Sequence, residues 1–134
     1  MIRHMESIEV SAAIIIHDGR ILAAQRGYGE YKDGWEFPGG KLEPGESGEE
    51  ACIRELREEL SIGISCEKEL CTVEWDYPRF HLTMHCYISS ITEGSIEMKE
   101  HEALRWVSPE ELDSVAWLEA DWIVVKAIKE YLGK

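Results

Sequence analysis

No stretch of this 134-residue chain approaches the roughly 20 consecutive apolar residues of a membrane span. The opening "MIRHMESIEV" has no apolar core of the kind that drives secretion. Basic residues are scarce. Fourteen Lys and Arg stand against 27 Asp and Glu, a formal charge of −13, which excludes a basic surface for a nucleic acid polymer. The four cysteines, Cys52, Cys66, Cys71 and Cys86, form no CxxC and no metal-ligand ladder, so they read as reduced, mostly buried thiols. Proline is sparse, at four residues, and there is no linker, repeat or low-complexity tract. The expectation is one cytoplasmic domain over residues 1–134, monomeric or homodimeric, whose first six residues form a loose leader or an expression remnant.

What is present is a core. Apolar residues make up 44% of the chain, and there are five tryptophans. Ser7 to His17, "SIEVSAAIIIH", is rich in β-branched residues and reads as a buried strand. Asp18-Gly19 is a hairpin turn, and Arg20 to Arg26 is the returning strand. A glycine-punctuated loop, Gly27 to Gly34, leads to a short strand, Trp35 to Phe37. Ser47 is positioned as a helix N-cap with Glu50 three residues on, and the helix runs to about Leu60. Two strands follow, Glu69 to Tyr77 and His81 to Ile91, then a strand from Glu102 to Ser108. Ser108-Pro109 opens a short helix, and Asp121 to Leu132 is the last helix. This order predicts an α/β domain in which a mixed sheet lies between helices.

The helix from Ser47 carries an electrostatic problem. Glu55, Glu58 and Glu59 fall at i, i+3 and i+4, on one face, where like charges repel. Glu43 and Glu46 add to the charge just upstream. Clustered carboxylate oxygens on a rigid element are what Mg²⁺ or Mn²⁺ prefers, and a divalent ion would turn the repulsion into coordination. A protein this acidic also needs cations between itself and a phosphorylated small molecule.

Gly40, Glu46 and the run Arg54-Glu55-Leu56-Arg57-Glu58-Glu59-Leu60-Ser61-Ile62 resemble the box of the Nudix family, GX5EX7REUXEEXGU, where U is a bulky aliphatic residue. Every fixed position matches except Ser61, which stands where the pattern has glycine; Gly63 lies two residues on and is a partial substitute. The stretches "AAIIIHDGRILAAQRG", "GWEFPGGKLEPGES", "EHEALRWVSPEEL" and "LEADW" resemble MutT-type nucleoside triphosphate pyrophosphohydrolases, and among them the bacterial CTP pyrophosphohydrolases. The resemblance implies the Nudix fold and Mg²⁺- or Mn²⁺-dependent hydrolysis of a nucleoside triphosphate to monophosphate and pyrophosphate.

It also implies residue roles. Glu58 and Glu59 match the principal metal ligands. Glu55 matches a residue that binds metal or orients the attacking water, and the Gly40 carbonyl matches a backbone ligand. Glu46 and Arg54 match a pair that holds the loop against the helix. Glu100 matches a loop carboxylate that binds metal or acts as general base, with Glu102 as the competing choice.

Substrate contacts are expected from Arg26, Gly39 and Lys41. Trp35, Tyr77 or Phe80 offers a surface for a base, and Phe37 reads as core or as a wall of the same site. Asp121 reads as the N-cap of the last helix or as an acceptor facing the base. The implied substrate is a cytosine nucleotide or an oxidised one such as 8-oxo-dGTP. ADP-ribose, a dinucleoside polyphosphate and a non-catalytic nucleotide sensor are the competing readings; Pro78, sixteen residues after Ile62, fits ADP-ribose hydrolases and MutT-type proteins alike.

Overall fold

A computed structural model describes residues 5–133. Of the expected leader, residues 1–4 lie outside the described residues, and Glu6 already belongs to the first strand. The elements in chain order are β1 (Glu6–His17), β2 (Arg20–Arg26), β3 (Trp35–Glu36), β4 (Gly39–Lys41), α1 (Gly48–Leu60), β5 (Gly63–Asp76), β6 (Phe80–Glu93), β7 (His101–Val107), a 3-10 turn (Pro109–Ser114) and α2 (Glu119–Leu132). Among the described residues no helix is long and apolar enough to cross a membrane.

β1 organises the sheet. It runs parallel to β6 from Glu6↔Phe80 to Ile15↔Ser89, antiparallel to β4 through Ser11↔Gly40, and antiparallel to β2 at the Asp18-Gly19 turn. β2 in turn pairs with β3 and β7, and β6 with β5. Side chains of β1 alternate faces, and both faces are buried, which is why the sequence shows a continuous apolar run. Ala12 and Ile14 join Val124, Val125 and Ile128 of α2 in one core. Ala13 and Ile15 join Cys52, Leu56 and Leu60 of α1 in the other. The sheet therefore lies between two helices, as the element order predicts.

α1 opens with the expected capping box. The Glu50 N–H donates to Ser47 Oγ at 3.1 Å, and the Ser47 N–H donates to Glu50 Oε1 at 2.9 Å. Its other end differs from expectation. Ser61 itself takes the left-handed cap, φ 60° and ψ 30°, and Gly63 starts β5 instead of substituting for the missing glycine.

β5 begins at Gly63 and not at Glu69, because register shifts at Gly63/Ile64, Cys66/Lys68 and Glu69/Cys71 break the period of two that reveals a strand. β4 was not expected, since two glycines carry no strand signal. All four cysteines are free thiols.

Candidate active site

A cleft of about 480 Å³ opens between β4, the N-terminal half of β1, α1 and the β6–β7 loop, and extends to the start of α2. That is the size of a small-molecule site. Of the residues expected from sequence, Arg26, Phe37, Gly39, Gly40, Lys41, Glu55, Glu59, Tyr77, Phe80, Glu100 and Asp121 line it. Its two ends differ in chemistry.

At one end carboxylates crowd together. Burial, the adjoining Glu55 carboxylate and the charge of Glu100 push the Glu59 carboxyl up to about 9. Gly40 is the tight point. A Cβ there would collide with the Glu55 carboxylate, so any other residue would push that carboxylate aside. Hard oxygens from three elements, with a backbone cradle a side chain would fill, suit Mg²⁺ or Mn²⁺.

The fit is incomplete in one respect. Among the described residues no three His, Cys, Asp or Glu side chains already surround a common point suited to a metal. Of the three helix glutamates, Glu58 does not line the cleft: its carboxylate is 58% exposed, with Oε2 3.2 Å from Arg54 Nη1.

Arg54 is the hub of this end. Its Nε donates to Glu46 Oε2 at 2.7 Å and its Nη2 to Glu46 Oε1 at 2.8 Å. It also donates to Glu55 Oε1 at 2.8 Å and to the Lys41 carbonyl at 2.9 Å. One guanidinium thus ties the β4–α1 loop to the acidic face of the helix. The Arg54 hydrogen bonds, helped by the Glu43 N–H, hold the Glu46 carboxyl down at about 2.

The other end is mixed aromatic and polar. Tyr77 and Phe80 stack with centroids 5.1 Å apart, and Tyr31 tilts onto Tyr77 at 5.1 Å. The Ala120 N–H donates to the Tyr77 hydroxyl at 3.0 Å, which ties the aromatic group to the first turn of α2. Phe37 is both core and wall: it stacks on Trp117 at 4.4 Å and borders the cleft.

Asp121 corrects one expectation. α2 starts at Glu119 with Leu118 as its N-cap, so Asp121 sits in the first turn and does not cap the helix. Its carboxyl is buried and accepts a long bond from the Phe37 N–H, 3.4 Å. Burial, followed by the charge of Glu36, pushes Asp121 well above the usual carboxylate range. That shift favours the protonated acid, which offers a donor and an acceptor, where the sequence implied an acceptor alone.

One further expectation changes, and one choice is narrowed. Trp35 does not line the cleft: its ring packs on the α2-side core, and its carbonyl accepts the Leu118 N–H at 2.9 Å. Glu102 faces Lys32 Nζ at 3.3 Å and stays outside the cleft, whereas Glu100 lines it.

Glu36, His101, Tyr28 and Tyr31 line the cleft without having been singled out from sequence. Glu36 carried a signal, as the one charge inside the aromatic strand "WEF". It accepts from Arg26 Nη2 at 2.6 Å and faces His101 Nε2 at 3.6 Å. Burial opposes its ionisation, but His101 and Arg26 outweigh burial and lower its pKa.

The family model described as "NUDIX domain" matches residues 7–127. The chain belongs to the Nudix family. It is 43% identical over 108 residues to the CTP pyrophosphohydrolase of Escherichia coli K12, covering 80% of each chain. It is 36% identical over 97 residues to the 8-oxo-dGTP diphosphatase of Proteus vulgaris, covering 71% of this chain and 85% of that one. In three dimensions it matches the solution structure of the E. coli ORF135 protein with a TM-score of 0.82 and 37% identity, covering 96% and 92% of the two chains. The crystal structure of a MutT Nudix hydrolase from Burkholderia pseudomallei matches at 0.83 with 28% identity, covering 92% and 98%. This chain is a MutT-type Nudix hydrolase, and its sheet between helices is the Nudix fold.

Proposed function

We propose that this Nudix hydrolase converts a nucleoside triphosphate and water to a nucleoside monophosphate and pyrophosphate in the cytoplasm, with Mg²⁺ or Mn²⁺, and that its preferred base is cytosine or a modified cytosine. The observation that carries the reading is the polarity of the cleft: Glu55, Glu59 and Glu100 crowd one end, and the aromatic group with Asp121 occupies the other. A nucleotide has the matching polarity, with a polyphosphate at one end and a flat base at the other.

The residues divide the work. Gly40, Glu55, Glu58, Glu59 and Glu100 would hold the divalent cation, which would supply charge neutralisation for the polyphosphate and a more acidic water for attack on phosphorus. Arg54 and Glu46 fix the loop that carries the Gly40 carbonyl, which keeps that oxygen and Glu55 in register. Glu100, on the loop opposite α1, accepts a proton from the attacking water. Lys41 faces the phosphates, Arg26 contacts phosphate or base beside Glu36, and Gly39, whose missing side chain lets β4 lie against the Ser11 carbonyl of β1, offers the phosphates its backbone. The base lies along Tyr77 and Phe80.

In its protonated form, which burial favours, Asp121 suits cytosine better than guanine. A protonated acid donates its O–H to a ring nitrogen and accepts a hydrogen from the adjacent amino group. The N3/N4 edge of cytosine offers that pair. The N1/N2 edge of guanine offers two donors and wants an ionised carboxylate. The E. coli relative named for CTP fits this choice; the P. vulgaris relative named for 8-oxo-dGTP supports the second reading, an oxidised purine.

The test is a panel of CTP, dCTP, 5-methyl-dCTP, dGTP, 8-oxo-dGTP, UTP and ADP-ribose with Mg²⁺ and identification of products. Cytosine nucleotides yielding CMP or dCMP and pyrophosphate are expected. Turnover confined to ADP-ribose, or release of single phosphates, overturns the reading. No multiple turnover on any member would leave a nucleotide sensor.

A further inference from the structure

His101 is the least explained side chain of the cleft. It is 7% exposed, its Nε2 faces Glu36 Oε2 at 3.6 Å, and its Nδ1 is buried without a hydrogen-bond partner. A buried nitrogen with no partner costs about 1–3 kcal/mol, so a side chain that tolerates one is held there by something else. Its placement is informative. Three adjacent strands converge on one carboxylate: Glu36 from β3, Arg26 from β2, and His101 from β7, which sits opposite Arg26 in the β2–β7 ladder. Yet His101 is bonded through a single peptide to Glu100, which belongs to the acidic end.

The surroundings of Glu100 leave few routes for such a link. On one side the Gly27 backbone presses on the Glu100 carbonyl so closely that an added Cβ would lie 2.8 Å from that oxygen. On the other side Glu102 is tied to Lys32, outside the cleft. Between these anchors, the His101 side chain faces Glu36 directly.

The geometry points to His101 as a positioning residue that couples base recognition to Glu100: a nucleoside seated against Glu36 and Asp121 fixes the imidazole, and the imidazole fixes the peptide that presents the Glu100 carboxylate to the reacting end. A wrong base leaves Glu36 and His101 free to shift, and Glu100 moves with them. Discrimination then falls on kcat more than on KM. Coupling of this kind requires no long pathway, since the two groups are neighbours in the chain. It rests on the nucleotide reading given above.

Two readouts test it. The first is steady-state kinetics of wild type, His101→Phe, His101→Gln, Glu36→Gln and the double variant Glu36→Gln/His101→Phe, on CTP and UTP. His101→Phe is expected to lower kcat on CTP about 10-fold, the low end for a supporting residue. Its KM stays within about threefold, and the kcat preference for CTP over UTP collapses. The double variant should be no worse than the worse single one. His101→Gln guards against misfolding of the Phe variant. Equal loss of kcat/KM on both nucleotides, or additive effects with Glu36→Gln, overturns the coupling.

The second readout needs no turnover: Mn²⁺ binding followed by electron paramagnetic resonance, with and without cytidine, which fills the base end and brings no phosphate. Cytidine should tighten Mn²⁺ binding about fivefold in wild type and not in His101→Phe. An unchanged Mn²⁺ affinity in wild type with cytidine bound overturns the coupling even if CTP is hydrolysed. Wild-type protein that hydrolyses no nucleoside triphosphate removes the functional reading instead, and the Mn²⁺ titration then decides the coupling alone.

Discussion

Arg54 holds Glu46 with two parallel bonds, Nε to Oε2 at 2.7 Å and Nη2 to Oε1 at 2.8 Å, across the β4–α1 loop. The fork geometry is specific to a guanidinium. Arg54→Lys keeps the charge but loses the second bond and the reach to the Lys41 carbonyl. Activity is expected to fall about 10- to 100-fold with the protein still folded. Turnover within twofold of wild type would show that the loop needs no such tie.

The same pair predicts a pH dependence. The Glu46 carboxyl is held down at about 2, against about 4.3 in an unfolded chain. A depressed carboxylate contributes stability that is complete above the unfolded value and is lost as pH falls toward the folded one. Glu46→Gln removes that contribution. The melting temperatures of wild type and Glu46→Gln should therefore differ at pH 7 and converge between about pH 4.3 and pH 2. A gap as large at pH 2.5 as at pH 7 would place the effect elsewhere.

The acidic face predicts the response to metal. Glu55, Glu59 and Glu100 repel one another, so a divalent cation should stabilise the protein without nucleotide. Mg²⁺ at 100 times its dissociation constant should add about 2.7 kcal/mol, read as a rise in melting temperature. Glu59→Gln and Glu58→Gln should both abolish most of that rise and lower kcat by about 100-fold, the equivalent of about 2.7 kcal/mol at the transition state. Glu58 makes the sharper test, because it does not line the cleft and accepts from Arg54 instead. A Glu58→Gln variant with a wild-type Mg²⁺ shift would restrict the site to Glu55, Glu59 and Glu100.

Most of this was legible in the sequence where a residue type has one physical use. The apolar run of β1 and the Ser47 and Glu50 box each have a single good reading, and the structure places both as expected; of the α1 glutamates, Glu55 and Glu59 line the cleft and Glu58 does not. Reading failed where the cause lies in tertiary contact. Three register shifts hid the start of β5. Leu118 rather than Asp121 caps α2, because Asp121 is drawn under β3 to the Phe37 N–H. Trp35 was chosen as a flat ring near the box, yet the β3 pleat turns it into the core while Glu36 faces the cleft.

Ser61 offers a prediction about stability alone. It adopts φ 60° at the end of α1, a region costly for a residue with a Cβ. Glycine is at home there, and its extra freedom when unfolded offsets part of the gain. Ser61→Gly should therefore stabilise the fold by about 0.5–1 kcal/mol, a rise of about 2–5 °C in melting temperature, with kcat unchanged. A lower melting temperature would show that the serine side chain contributes more than its backbone strain costs.

Asp121 joins stability to specificity. A carboxyl whose pKa is raised on folding contributes most below its unfolded value, about 3.9, and penalises the fold as pH rises toward the folded value. Asparagine has similar shape and no charge to bury. Asp121→Asn should melt higher than wild type at pH 8, and the difference should shrink as pH falls to 4. Asparagine also presents one donor and one acceptor side by side, as the protonated acid does, so CTP turnover should be retained. Asp121→Ala removes both bonds and should raise KM for CTP about 30-fold, the worth of two net hydrogen bonds. If Asp121→Asn instead matched Asp121→Ala on CTP while gaining nothing in stability at pH 8, the carboxylate would be ionised in the working enzyme, and the preference for cytosine over guanine would lose its physical basis.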